Sequence, residues 1–149
     1  MFVTAQDFEK SPYIIPNLDS ADVLADFNSF VETEEKEVLK QVLGPNLYTE
    51  FVTGLGVVAP AVPDVKWIRL RDGFVFDWLG TGYEWIGFKK ALVPYIYAMW
   101  IRYKVQQFGG DAVVIPAFEN ADRVNPSWVI VNAYNRFVDL VGYKFRSHR

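Results

Sequence analysis

Glycine and proline divide this chain into segments, and the cuts decide which stretches can be helical. Gly44-Pro45, Gly87, Gly109-Gly110 and Asn125-Pro126 are helix stops and starts. Glycine ends a helix because it takes up conformations closed to other residues, and proline suits the first helical position, where no backbone donor is needed. Between the cuts, apolar residues recur at three- and four-residue spacing. From about Ser20 to Leu43, Val23, Phe27, Phe30, Val31, Val38 and Val42 fall on one helical face. Glu32, Glu34, Glu35, Lys36 and Lys40 lie mostly on the other. Asp19 or Ser20 stands where a helix cap belongs. A short second helix is expected over Pro45 to Thr53, and a long one over Phe88 to Phe108 with Pro94 kinking it. A last helix over Pro126 to Tyr143 places Ile130, Tyr134, Phe137, Val138 and Val141 on one face.

The remaining segments follow other rules. Phe74 to Trp78 and Tyr83 to Ile86 are aromatic and β-branched runs around a glycine-containing turn, the pattern of a β-hairpin. Trp67 to Arg71 either extends it or forms a separate turn of helix. Residues 54–66, with Gly54, Gly56, Pro60 and Pro63, read as a loop, and 111–124 as extended or irregular chain. In residues 1–18, Pro12 and Pro16 flank Tyr13-Ile14-Ile15, which predicts an irregular arm docked by its apolar side chains. The expected fold is mainly α: a small helical bundle of three long helices and one short one, with one aromatic β-hairpin at about 74–86. It forms a single domain over 19–143, between an N-terminal arm (1–18) and a basic C-terminal tail (144–149). A lone two-stranded hairpin is marginal in water, so this one must pack on the helices or pair with another molecule.

Composition narrows function. The 149 residues include 12 Phe, 8 Tyr and 5 Trp, but no Cys and one His. Such a chain is rich in contact surface and poor in nucleophiles, metal ligands and proton shuttles, so it is expected to bind and not to catalyse, with no cofactor. The absence of Cys excludes a disulfide framework and thiolate zinc sites and is compatible with a reducing compartment. A net charge of −3 argues against a broad electrostatic grip on nucleic acid. The first residues have no basic region followed by an apolar run, so no signal peptide is expected. The longest apolar run, Ala91 to Ile101, is too short for a bilayer and reads as a buried helix.

Each candidate for chemistry has a plainer reading. His148, beside the last residue, lacks the rigid setting that a catalytic imidazole needs, and reads as a solvated tail residue. Gly80-Thr81-Gly82-Tyr83-Glu84-Trp85 begins like a dinucleotide-binding loop, but Trp85 stands where the third glycine belongs and no helix follows. Asp64, Asp72, Asp77 and Glu84 could converge as acid and base or as metal ligands, although no compact ligand pattern joins them. Trp78, Tyr83 and Trp85 either cover the helical core or form an exposed aromatic surface for a partner or a sugar. Lys144, Phe145 and Arg146 interleave cations with an aromatic ring, which suits an acidic surface or a phosphate backbone, and equally complements a helix end.

The order of elements carries a resemblance. Tyr13-Ile14-Ile15-Pro16-Asn17 leads into an amphipathic helix that ends Leu43-Gly44-Pro45-Asn46-Leu47-Tyr48. After a loop come Trp67 to Gly73, the aromatic hairpin, then Trp85-Ile86-Gly87-Phe88-Lys89-Lys90-Ala91-Leu92 opening a helix with Tyr95-Ile96-Tyr97-Ala98. Over roughly residues 8–142 this resembles the small head–tail connector, or adaptor, proteins of tailed bacteriophages and prophages. The resemblance implies a structural virion protein without catalytic residues or cofactor, made in the host cytoplasm. It implies homo-oligomeric rings beneath the portal protein that extend the DNA channel and meet the next tail component. DNA would pass without specific binding, no membrane would be involved, and the C-terminal segment from Asn125 onward would dock on the portal. The competing expectations are a carbohydrate or small-ligand binding module using Tyr83 and Trp85 as a stacking platform, and an enzyme using the carboxylates around the hairpin.

Overall fold

A computed structural model describes residues 2–9, 12–56, 64–107, 126–142 and 147–148. The protein is mainly α with an aromatic hairpin, as the periodicity predicts. Its helices are α1 (Ala21–Leu43), α2 (Pro45–Gly54), α3 (Val65–Asp72), α4 (Phe88–Gln107) and α5 (Pro126–Val141). Its strands are β1 (Phe74–Trp78), β2 (Thr81–Trp85) and β3 (Ser147–His148). The described residues hold five α-helices because Trp67 to Arg71 belongs to a separate helix, α3, whose N-cap Asp64 accepts a hydrogen bond from the Lys66 amide at 3.0 Å. The expected loop is correspondingly shorter at both ends, its residues 57–63 lying outside the described part, as do 108–125.

The apolar content of α4 explains the architecture. Phe88, Ala91, Leu92, Tyr95, Ile96, Ala98, Trp100 and Ile101 are buried around most of its circumference. A helix apolar on most sides must be packed on several of them, and α1, α3 and α5 all pack on it. None of the described helices is long and apolar enough to cross a membrane. Aromatic side chains make much of the core. Phe27 meets Phe8 and Trp100 edge-on at 5.1 Å, and Phe30 joins Trp100 and Tyr103 at 5.2 Å. A second chain of rings runs from Phe2 to Phe51, to Phe88 and on to Trp85. Edge-to-face contacts at this spacing add to the stabilisation from burial itself.

The arm docks, and it does so selectively. Val3, Phe8 and Ile15 are buried, and Tyr13 lies 5.3 Å from the Tyr97 ring, whereas Ile14 points outward. The arm also corrects the reading of α1. Glu35, expected on the solvated face, is buried, and its carboxylate accepts hydrogen bonds from the Phe2 and Val3 amides at 2.8 to 3.1 Å. It lies four residues after Val31 and three before Val38, inside the apolar stripe, so the arm's unsatisfied amides have a partner there. Leu39 completes the buried face, while Val42, expected on it, is exposed near the helix end. In α5, Ala133 and Phe137 are buried, with Phe137 5.0 Å from the Tyr95 ring. Tyr134 and Val138, expected beside them, are exposed.

Candidate functional site

The hairpin leaves the helical body through a narrow neck. Gly73 and Gly87 flank it with φ of +102° and +89°, a backbone region that side chains resist. They also face each other. A Cβ on Gly73 would stand 2.6 Å from the Trp85 carbonyl oxygen, and one on Gly87 would stand 2.6 Å from the Gly73 nitrogen. Only a chain without side chains at both points can bring the two strands together there.

Above the neck, the register pairs Phe74 with Trp85, Phe76 with Tyr83 and Trp78 with Thr81. Directly paired residues share a face, so one side of the hairpin is aromatic, and Val75, Asp77 and Glu84 lie on the other. Trp85 anchors the base. Its indole N–H donates to the Leu70 carbonyl at 2.8 Å and its ring packs on Phe88 at 5.1 Å. It is the one hairpin aromatic packed against the buried core among the described residues. Phe76 and Tyr83 stack on each other at 5.5 Å and are half-buried.

The tip does something different. Trp78 is 63% exposed, Val75 75% and Leu79 91%. The turn residues Leu79 and Gly80 both have positive φ, +54° and +78°, the requirement of a type I′ turn. The Asp77 carboxylate accepts from the Gly80 amide at 3.0 Å and closes it. Asparagine or glycine ordinarily fills the first central position of such a turn. Here it is leucine, strained in backbone and bare to solvent. The two unfavourable choices coincide at the point farthest along the hairpin.

The site residues singled out in the sequence therefore separate. Trp78 is exposed, Tyr83 is stacked within the sheet, and Trp85 belongs to the body. Tyr83 and Trp85 are both half-buried. Lys144, Phe145 and Arg146 lie outside the described residues. Beyond them, Ser147 and His148 pair antiparallel with Tyr83 and Gly82. The backbone of His148 is thus part of a three-stranded sheet ordered β1-β2-β3, not a loose tail. The four carboxylates do not converge either. Asp64 caps α3 and Asp77 closes the turn. Asp72 takes two hydrogen bonds at 2.7 Å from the Arg71 guanidinium, which holds its carboxyl below the usual carboxylate range. Among the described residues no three acidic, His or Cys side chains gather as metal ligands would.

Sequence reasoning missed two features that bear on the site. The exposed Leu79 was legible only through the Leu-Gly turn between the strands. The other feature is on α5, where Trp128, Val131, Tyr134 and Val138 are all exposed and, spaced three, three and four apart, form a second apolar stripe. No family model matches this chain, and no curated protein or solved structure is significantly similar to it.

Proposed function

We propose that this chain is a structural protein that works by self-association, and that it is a head–tail connector subunit forming a ring between the portal and tail of a phage. One observation carries the assembly part of this reading: a hairpin on a glycine neck that presents Trp78 and Leu79 to solvent at its tip. Exposed apolar side chains in a cluster mark contact surfaces, and beyond Trp85 no hairpin aromatic packs on the buried core among the described residues. The connector class rests on the resemblance of the element order, and brings with it the virion location, the portal and the next tail component as partners, and DNA passing through the ring unrecognised. The carbohydrate-platform reading loses its basis in Trp85, whose ring and N–H are both engaged by the body.

Electron microscopy of the purified full chain at high protein concentration tests the proposal. Ring-shaped particles with a central opening are expected. Particles no larger than a monomer or a closed two-fold dimer, in the presence and absence of portal rings, would refute the connector assignment.

A further inference from the structure

We infer that the hairpin of one copy packs on the outer stripe of α5 of the next, so that the assembly interface joins two different surfaces of the same chain. The inference rests on the self-association proposed above and specifies its contact. The two surfaces are Phe74, Trp78 and Leu79 on the hairpin and Trp128, Val131, Tyr134 and Val138 on α5, all exposed. Both are apolar, both are larger than scattered surface residues, and they belong to separate elements.

Area supports a second copy as the occupant. With ~150–250 Å² for a fully exposed aromatic side chain, the exposures of these seven residues amount to on the order of 800 Å² of mostly apolar surface. A standard interface buries about 1,600 Å² over both partners, of which about 900 Å² is non-polar. The two patches together supply the apolar share of one such interface, and neither does so alone. Symmetry supports the same pairing. A contact between two hairpins would be two-fold and would close at a dimer, leaving the α5 stripe of both copies bare. A hairpin-to-stripe contact is head-to-tail, uses both patches in every copy, and continues until the rotation closes a ring. The strained Leu79 then has a reason, because an asparagine there would relax the turn and remove the apolar tip.

Complementation tests it. In native mass spectrometry of the full chain, Trp78→Glu and Val131→Glu should each remain monomeric, with self-association weakened at least ~tenfold, as for loss of an interface anchor. An equimolar mixture should form one heterodimer and stop, because one partner keeps a working stripe and the other a working hairpin. Both substituted positions are exposed, so thermal melts of the two variants should stay near that of the parent. A second measurement does not depend on the glutamate variants folding. The chain has no cysteine, so Leu79→Cys in one preparation and Val131→Cys in another, mixed and oxidised, should give mainly the mixed disulfide. The inference is overturned if Val131→Glu assembles like the parent, if the mixture stays monomeric, if the cysteine variants cross-link only with themselves, or if the parent never self-associates. The two proposals can fail separately. Open filaments from the parent with intact complementation would sink the ring and keep the interface, whereas rings from Val131→Glu would do the reverse.

Discussion

Glu35 and Leu79 both depart from the ordinary preferences of their positions, and the departures have opposite meanings. Glu35 is a buried carboxylate satisfied by two backbone amides of the arm. Hydrogen bonds to a charged group contribute about 1.5–3 kcal/mol each, and an amide left unpaired in the same place costs a comparable amount. Glu35→Ala should therefore lower the free energy of unfolding by about 2–4 kcal/mol in urea titration, with Glu35→Gln in between because one acceptor oxygen survives. Leu79 has no such compensation inside the molecule. Leu79→Asn, which places asparagine before glycine in the turn, should raise the melting temperature by ~2–4 °C, equivalent to about 1 kcal/mol of relieved strain. The same variant should self-associate more weakly in sedimentation. A change that stabilises the fold and harms assembly is the mark of a residue kept for contact.

At the scale of elements, the neck is the critical part. A methyl group on Gly87 would collide with the backbone at Arg71, Asp72 and Gly73, and the residue's φ of +89° would be strained as well. Gly87→Ala should displace the hairpin and expose Trp85, giving a red-shifted tryptophan emission together with a loss of about 2–3 kcal/mol, in the range of strained glycine replacements and lost packing. How far the elements were legible follows from what each depends on. The helices α1, α2 and α4 were readable because Gly44-Pro45 and Gly87 are local signals and a 3.6-residue period is a local pattern. The hairpin was readable from its alternation and turn. The fate of its aromatic residues was not, because Trp85 and Trp78 have the same chemistry and differ only in their distance from Phe88. The outer stripe of α5 was hidden for a related reason. That helix is apolar on two faces, and periodicity cannot tell which one meets α4. Glu35 was readable in principle, since it stands within the stripe of Val31 and Val38, but a carboxylate is assigned to solvent unless its partners are known.

On the scale of the whole molecule, the helical body and the hairpin divide the work: α1, α3 and α5 pack on α4, and among the described residues the hairpin tip is no part of that core. The fold should then be indifferent to the tip and dependent on the base. The most direct test compares Trp78→Ala with Trp85→Ala, each followed by thermal melting and by sedimentation velocity over a range of concentrations. Trp78→Ala should melt within about 2 °C of the parent, as an exposed substitution does, and lose self-association. Trp85→Ala should melt several degrees lower, in keeping with about 2–3 kcal/mol for a partly buried tryptophan. If Trp78→Ala melts as low as Trp85→Ala, or self-associates as strongly as the parent, the tip is not the contact surface described here.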